Sequence, residues 1–297
     1  MSERATSEGA AGTMPKASAI GRGRIARKFA ELRTRNEAAL VPFIVAGDPS
    51  LDATRALVRE FQARGADLIE LGVPFSDPTA DGPANQRAIA RGLASGASLT
   101  AILATVGELR RETEIPIILY GYYNPILRYG CERLCVDAAR AGVDGLLVVD
   151  LPPEEAGELA RPAHAHGLDL IYLLAPTTPA DRARRTARVG SGFLYYVSVT
   201  GVTGARTSLA VDLEERVRAL RAMTKLPVGV GFGISTPEQA AAVAVFADAV
   251  VVGSALSLII EREGAGSGLP AAVGELVGAM KAAMRAARAR AEAAAQG

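Results

Sequence analysis

The sequence predicts an α/β fold, a single-domain (β/α)8 TIM barrel, and three observations support this prediction. Eight short runs rich in Val, Ile and Leu alternate with segments that have apolar residues at helical spacing. The runs are apolar throughout rather than at every second residue, which is typical of parallel strands covered on both faces. No break in composition divides the 297 residues, and barrels of this kind reach that length as one domain.

The strands are predicted from the apolar runs and from the turns that close them. In chain order they cover residues 39–45, 68–71, 115–120, 145–149, 169–174, 193–197, 228–230 and 249–252. A doubly wound open sheet is the alternative architecture. The first strand is followed by Gly47, Asp48 and Pro49 instead of the Gly-x-Gly-x-x-Gly turn that such sheets use for dinucleotides, so the barrel is favoured.

The helices are predicted from amphipathic spacing and from capping residues. Ser50 provides a start for the helix after the first strand, and Gly65 provides a stop. The predicted helices cover residues 24–35, 51–64, a segment from Pro83, 99–112, 131–141, 152–166, 180–189, 211–223, 236–246, 255–263 and 270–294. Residues 122–125 and 198–208 are predicted as loops, and residues 1–22, rich in Ser, Gly, Ala and Thr, as a disordered tail before a catalytic domain at 23–297.

Composition argues against several classes of function. The 33 basic and 32 acidic residues nearly balance, so the charge gives no reason to expect nucleic acid or an acidic membrane as a partner. The first residues lack the apolar segment of a secretory signal, and no run of about 18 apolar residues predicts a membrane-spanning helix. The two cysteines, Cys131 and Cys135, make no disulfide framework, which predicts a reducing, cytoplasmic location.

The most informative stretch runs from Leu68 to Pro83. It is an apolar strand that contains one acid, Glu70, followed by a loop rich in Pro and Gly that carries Asp77 and Asp81. Ionised carboxylates are costly in a core unless they are paired or used in chemistry. Parallel barrels place catalytic groups at the carboxyl ends of their strands. The alternative role of Glu70 is that of a salt-bridged structural acid, and Asp81 could instead form a turn.

Two glycine-containing turns follow the last two predicted strands, at residues 231–235 (Gly-Phe-Gly-Ile-Ser) and 253–254 (Gly-Ser). Barrels often bind phosphate at the loops after strands seven and eight, where backbone N–H groups are unobstructed. A helix start near Ser235 and Thr236 would favour an anion further. One such turn is explained by tight chain reversal alone, but two after consecutive final strands favour a phosphate site.

These motifs resemble the tryptophan synthase alpha subunit family. The longest is Glu-Leu-Gly-Val-Pro-Phe-Ser-Asp-Pro-x-Ala-Asp-Gly-Pro, which runs from Glu70 to Pro83. In the family's order the chain also has Pro-Phe at 42–43, Gly-Asp-Pro at 47–49, Asn-Pro at 124–125, Asp-Leu-Pro at 150–152, Gly-Val-Thr-Gly at 201–204, Gly-Phe-Gly-Ile-Ser at 231–235 and Gly-Ser-Ala at 253–255. The similarity extends over nearly all of residues 41–260.

The resemblance implies a lyase that cleaves indole-3-glycerol phosphate into indole and glyceraldehyde 3-phosphate. This step of L-tryptophan biosynthesis is a retro-aldol reaction and needs no cofactor in this chain. Glu70 matches the family's catalytic acid and base, and burial would raise its pKa above the ordinary value of about 4.3. Asp81 matches the group that accepts the indole N–H and stabilises positive charge there. A dry Glu70 and a more solvated Asp81 would divide the work.

The resemblance also implies a set of substrate-binding residues. They are aromatic side chains, a loop that closes over the substrate and the two turns: Phe43, Tyr122, Tyr195, Thr203, Gly204, Phe232, Gly233, Gly253 and Ser254. Thr203 resembles the residue that touches Asp81 on closure. For Phe43, Tyr122 and Tyr195 the alternative role is core filling.

A partner is implied in the same way. The family's alpha subunit pairs with a pyridoxal-phosphate beta subunit and passes indole to it, which predicts an α2β2 heterotetramer with the cofactor only in the partner. Pro74, Asp77 and Pro78 match the part of the family that meets this partner. The alternatives are a standalone indole-glycerol-phosphate lyase and a catalytically idle barrel that binds phosphate and regulates a partner.

Four other features receive lesser roles. Cys131 and Cys135, with the distant pair His164 and His166, are assigned to packing or the surface, and no metal site is predicted. Asp150 ends the fourth predicted strand and is interpreted first as a turn or helix cap. Asn85 stands where an apolar residue is usual in the family.

Overall fold

The chain forms a closed barrel of eight parallel strands. A computed structural model describes residues 23–198, 207–231 and 233–296, with the backbone alone for 207–211. The strands in barrel order are β1 (Ala39–Val45), β2 (Ile69–Gly72), β3 (Ile117–Gly121), β4 (Gly145–Val148), β5 (Asp169–Leu174), β6 (Leu194–Val197), β7 (Val228–Gly231) and β8 (Ala249–Val252). β8 returns to β1, with Ala249 opposite Ala39. The predicted (β/α)8 barrel is therefore confirmed.

Helices surround this barrel. They are α1 (Arg24–Thr34), α2 (Leu51–Ala63), α3 (Pro83–Ala94), α4 (Leu99–Leu109), α5 (Tyr123–Tyr129), α6 (Cys131–Ala141), α7 (Gly157–Ala165), α8 (Ala180–Val189), α9 (Thr207–Met223), α10 (Pro237–Ala244), α11 (Ser254–Glu263) and α12 (Leu269–Gln296). The Ser50 hydroxyl accepts a hydrogen bond from the Ala53 N–H at 3.0 Å, so the predicted cap of α2 is present. The predicted tail at 1–22 lies outside the described residues.

The prediction of a loop at residues 122–125 is wrong, because α5 begins there. Pro125 stands in the first turn of α5, where a helix needs no N–H from it. The Asp150 carboxylate accepts the Tyr123 N–H at 2.8 Å and so caps the helix from the next strand end. A cap that comes from 27 residues away leaves no local sequence signal.

Two helix starts also differ from the prediction. α7 begins at Gly157 rather than at Pro152, since the intervening residues form turns in which Glu155 N–H donates to the Pro152 carbonyl. α9 begins at Thr207, inside the segment predicted as a loop. Apolar spacing identifies the middle of a helix better than its first turn. The N–H groups of the first turn have no partners within the helix, and the side chains there need not follow the apolar spacing.

The core lies in two layers separated by the barrel wall. Outward-facing strand residues pack against the surrounding helices. Inward-facing residues form a second cluster, which α1 closes at the amino end of the barrel through Ile25, Phe29 and Leu32. The Phe29 ring lies 5.8 Å from that of Phe193 on the barrel interior. Because α1 fills the amino end, the opposite end is where a ligand can enter.

No single helix within the described residues is long and apolar enough to cross a membrane. The helices α3 and α4 meet such a test only when taken together, and they are bent by 93° relative to each other.

A buried lysine fastens the last helix to the amino end of the barrel. The Lys281 ammonium on α12 lies 2.8 Å from an Asp67 carboxylate oxygen, 2.9 Å from Glu37 and 3.1 Å from the Ala38 carbonyl oxygen. Asp67 also accepts the Leu40 N–H at 2.8 Å. Each partner of this ammonium lies next to β1 or β2, so the ion pairs join the end of the chain to its first strands.

We expect Lys281→Met to lower the free energy of unfolding by about 3–5 kcal/mol, because it leaves the buried Asp67 without its ion-pair partner. Urea denaturation followed by circular dichroism measures this loss. Arg285→Ala is the matched control: Arg285 contacts the same Glu37 at 2.9 Å, but its side chain is 52% exposed. The control should cost about 1 kcal/mol or less. Equal midpoints for the parent and the Lys281 variant would contradict a stabilising role of these ion pairs.

Candidate active site

A cavity of about 220 Å³ opens at the carboxyl end of the barrel. Its wall brings together seven of the residues predicted for the site: Phe43, Glu70, Asp81, Tyr195, Gly233, Gly253 and Ser254. These residues come from strands β1, β2 and β6 and from the loops after β2, β7 and β8. Parallel strands direct such groups to one common face, which explains why residues so distant in sequence meet.

Glu70 lies on β2, opposite Phe43 of β1, and its side chain enters the cavity. It is 1% exposed, and neither carboxyl oxygen has a hydrogen-bond partner among the described residues. Burial without a compensating cation raises the pKa of Glu70 to about 8. Glu70 therefore carries a proton at neutral pH and can act as an acid.

Asp81 lies across the cavity on the loop between β2 and α3. It is 8% exposed against 1% for Glu70, so it is the more solvated of the two acids, although both are buried. Its carboxylate accepts the Tyr122 hydroxyl at 2.6 Å, and the Asn85 side chain also interacts with it and helps to lower its pKa. Burial raises the pKa of Asp81 above its ordinary value, and these two interactions oppose the rise. The two acids thus differ more in hydrogen bonding than in exposure.

Tyr122 occupies a different position from the one predicted. Of the described residues, Tyr120 rather than Tyr122 reaches the cavity wall. The Tyr122 hydroxyl donates to Asp81 and accepts the Ala80 N–H at 3.0 Å, and its ring lies 5.4 Å from that of Phe75. Tyr122 therefore holds the loop that carries Asp81.

Phe43 and Tyr120 form an aromatic corner of the cavity. Their ring centroids are 4.9 Å apart in an edge-on arrangement. Glycine on both sides makes room for Phe43: an added Cβ would lie 2.9 Å from its ring at Gly72 and 3.0 Å from it at Gly253. A flat aromatic ring can pack against this corner, beside the two acids.

Tyr195 lies on β6 on the side of the cavity near Glu70. Burial, with added repulsion from the charge of Glu70, holds the pKa of Tyr195 well above its ordinary value, so this phenol stays neutral. The absence of a side chain at Gly231 makes this position possible, because an added Cβ there would overlap the Tyr195 hydroxyl.

The far end of the cavity is built from backbone. Gly233 has a φ of +74°, a conformation that favours glycine, and lies on the wall together with Gly253 and Ser254. Ser254 begins α11, where first-turn N–H groups lack partners within the helix and favour an anion. The start of α10 does not add to this site. The N–H groups of Ser235 and Thr236 donate to the Gln239 side chain, at 2.8 and 3.2 Å.

This arrangement matches a known family. The sequence profile described as tryptophan synthase alpha chain matches residues 29–285. The chain belongs to the tryptophan synthase alpha chain family. It is accordingly a lyase of the tryptophan synthase type, with the alpha subunit's role in tryptophan biosynthesis.

Individual members of the tryptophan synthase alpha chain family agree with the chain in both sequence and structure. The alpha chain of Geobacter sp. (strain M21) is 59% identical over 239 residues, which are 80% of this chain and 90% of the relative. That of Gluconacetobacter diazotrophicus is 56% identical over 80% of this chain and 87% of its own. The crystal structure of the alpha subunit from Legionella pneumophila has a TM-score of 0.81 at 42% identity, covering 88% of this chain and 98% of that one.

Three residues that the tryptophan synthase alpha resemblance implies for the site lie outside the described residues: Thr203, Gly204 and Phe232. Their roles stay predictions. Among the wall residues that the sequence analysis missed, two have polar side chains, Tyr120 and Asn85. Tyr120 was taken as part of an apolar run, although its place at a strand end was a usable signal. Asn85 was noted only as a departure from the family, yet it reaches both the cavity and Asp81.

The predicted partner surface is only partly exposed. Asp77 is exposed and Pro78 half-buried, so both are accessible from solvent. Pro74 is buried in this chain and lies beside Gly92 of α3. Of the three, Asp77 is therefore the residue best placed for a contact with another subunit.

Residues set aside in the sequence analysis take packing or surface roles. No cluster of three or more metal-ligating side chains occurs in the described part of the chain. Cys131 and Cys135 are buried free thiols on α6. His166 lies 3.4 Å from Glu132 at the surface.

Proposed function

We propose that this chain cleaves indole-3-glycerol phosphate into indole and glyceraldehyde 3-phosphate at the cavity around Glu70 and Asp81. The proposal rests on one observation about Glu70. Its carboxyl group is protonated, has no hydrogen-bond partner among the described residues, and lies on the wall of a cavity that also contains Asp81. A buried acid with no structural partner is costly to fold, which favours a chemical role.

In the first step Glu70 donates its proton to C3 of the indole ring. This converts the ring to a cationic indolenine and leaves Glu70 as a carboxylate. The charge appears at the ring nitrogen, where the N–H donates to the Asp81 carboxylate. Asp81 stabilises this positive charge at a buried position, where electrostatic interactions are stronger than in bulk water.

In the second step the Glu70 carboxylate removes the proton of the hydroxyl on the glycerol carbon bonded to C3. An aldehyde forms at that carbon, the carbon–carbon bond breaks, and its electron pair returns to the indole ring and neutralises it. Glu70 has then lost one proton and recovered one. A single residue can therefore serve as acid and base, as retro-aldol chemistry requires.

The substrate phosphate is assigned to the backbone at Gly233 and to the start of α11 at Gly253 and Ser254. The aromatic corner of Phe43 and Tyr120 takes the indole ring, and the phenol of Tyr195 packs beside the reacting bond. Anchoring at both ends aligns C3 with Glu70, which is the main benefit of binding a flexible glycerol chain at two points.

We also propose a beta-type partner that holds pyridoxal phosphate and takes up the indole, in an α2β2 assembly with Asp77 at the contact. No cofactor is assigned to this chain. Family membership supports a beta subunit, and the exposure of Asp77 supports its place at the contact. The two free thiols support a cytoplasmic location.

The proposal is tested by measuring indole release from indole-3-glycerol phosphate with and without a purified tryptophan synthase beta chain. We expect slow release by the chain alone and at least about tenfold faster release with the partner, since closure and alignment of the site limit the rate. Asp77→Ala should weaken the activation and leave the rate of the chain alone unchanged.

Each other outcome has a distinct meaning. Fast release without a partner, unaffected by its addition, would support a standalone lyase. No release under either condition would support an idle phosphate-binding barrel. Loss of the basal rate in the Asp77 variant would contradict its assignment to the contact.

A further inference from the structure

Asn85 occupies an unusual position for a polar side chain in this site. It lies in the first turn of α3, is half-buried and lines the cavity four residues after Asp81. Its amide also interacts with Asp81 and helps to lower the pKa of that carboxyl. An aliphatic side chain of similar size would fill the same space, so packing alone does not require an amide here.

A buried serine fixes the other end of this amide. The Ser257 hydroxyl on α11 donates to the Asn85 carbonyl oxygen at 2.9 Å, and Ser257 is 1% exposed. An ionised carboxylate only accepts hydrogen bonds, so the amide must present its N–H to Asp81. Its oxygen then points the opposite way, towards the hydroxyl. The chemistry of the two partners therefore sets the orientation of the amide.

The three residues also span the site. Asp81 belongs to the loop after β2, whereas Ser257 lies one helical turn after Ser254 at the anion end of the cavity. The link through Asn85 thus joins the loop that carries the charge-stabilising acid to the helix that faces the substrate phosphate.

We propose that Asn85 is a positioning residue: its amide, oriented by Ser257, holds the Asp81 carboxylate in the orientation that faces the cavity. This inference rests on the function proposed above. Tyr122 supplies a second donor to the same carboxylate, so Asp81 is held from two elements at once, α3 and the end of β3.

The titratable groups around Asp81 allow its ionisation to be followed in a pH profile. Around it are the phenols of Tyr120, Tyr122 and Tyr195, all with pKa values raised above the ordinary range, and Glu70 with a pKa of about 8. The phenols stay neutral at working pH. Among these protein groups, Asp81 therefore contributes to the acid limb of the activity profile and Glu70 to the alkaline limb, and the substrate phosphate is the same in every variant.

The test compares the parent with Asn85→Leu, Ser257→Ala and the double variant. In Asn85→Leu we expect the pKa of Asp81 to rise by about one and kcat to fall about tenfold or more, the range for a lost hydrogen bond to a charged group. KM should change less than kcat. Ser257→Ala should cause a smaller change in the same direction, and the double variant should equal Asn85→Leu, since Ser257 acts through the amide.

Two measurements keep the inference separate from the proposed function. The pH profile of kcat/KM reports Asp81 during turnover. Carbon-13 NMR of labelled aspartate carboxyls, with the Asp81 signal assigned from Asp81→Asn, reports its pKa without any activity. Thr105→Val is the control, because it removes a buried hydroxyl that bonds the Ala101 carbonyl oxygen outside the site.

An Asp81 pKa that is the same in the parent and in Asn85→Leu would overturn the inference even if the chain is an active lyase. If Asn85→Leu lowered the melting temperature but left the acid limb of the kcat/KM profile unchanged, Asn85 would have only a structural role. Additive effects in the double variant would show that Ser257 does not act through Asn85. Absence of cleavage by the parent would refute the proposed function but leave the NMR comparison decisive for Asn85.

Discussion

Replacing Glu70 with glutamine should abolish indole release while making the protein more stable at neutral pH. The amide keeps the size of the side chain but can neither donate the proton to C3 nor take one from the hydroxyl. General acid–base groups contribute rate factors of about 10²–10⁴, and here one residue serves both steps. We therefore expect kcat to fall at least about 10³-fold, measured by indole release at saturating substrate.

The stability effect follows from the pKa of Glu70, which is about 8 in the folded chain against an ordinary value of 4.5. Folding therefore takes up a proton between these two values, and stability falls as the pH rises through that window. At pH 7 the wild-type side chain costs on the order of 3 kcal/mol. Glu70→Gln avoids this cost, so its melting temperature should exceed that of the parent by several degrees.

The pH dependence provides the control. Near pH 4, where the carboxyl is largely protonated in both the folded and the unfolded chain, the two melting temperatures should converge. The parent should also lose kcat/KM as the pH rises through about 8, because the proton-donating form of Glu70 disappears. A parent-like rate in the glutamine variant would remove Glu70 from the mechanism, and equal melting temperatures at pH 7 would mean that its carboxyl is ionised in the folded chain.

The second large effect is expected for Asp81→Asn. This change keeps the shape of the side chain but removes the charge that stabilises the cationic ring. Removing one preorganised electrostatic partner from an enclosed site typically costs about 10²–10³ in kcat. The variant should bind substrate with a KM within a few-fold of the parent, since the proposed phosphate anchor lies at the other end of the cavity.

Tyr122→Phe is the matched comparison for Asp81→Asn. It removes the hydroxyl that donates to Asp81 at 2.6 Å but keeps the charge. Because this hydrogen bond holds the pKa of Asp81 down, its loss should move the acid limb of kcat/KM to higher pH and lower kcat by about tenfold. If Asp81→Asn kept most of the parent kcat, the positive charge of the ring would have to be stabilised by another group.

The sequence predicted the barrel because its signals are local and repeated. Each apolar run needs only its own residues to be recognised, and eight of them in alternation with helices leave few architectures. The wrongly predicted helix starts have a related cause, because they depend on contacts that are not local in sequence. The cap of α5 comes from Asp150 on another strand end, and the first turn of a helix carries no apolar spacing of its own.

The candidate site was predictable to a similar extent. Glu70 could be predicted as a functional residue from its local sequence, because it is the one acid in an apolar strand. The environment of Asp81 could not, because Tyr122, whose hydroxyl donates to this carboxyl and lowers its pKa, lies 41 residues further along the chain. Gln239 is a further case: its side chain accepts hydrogen bonds from the N–H groups at the start of α10 that the sequence analysis assigned to an anion. Such competition between a cap and a ligand appears only once the side chains are placed.

The position of the chain ends has a practical consequence for studying the assembly. Arg24 pairs with Asp144, which directly precedes β4, and Glu292 near the other end bonds to Asn36 ahead of β1. Both described ends thus lie on the side of the barrel away from the loop that carries Asp77. A fluorophore or an immobilisation tag attached at the carboxyl end should leave the opposite face free, so subunit docking can be followed on a sensor surface with the mouth of the cavity directed towards the solution.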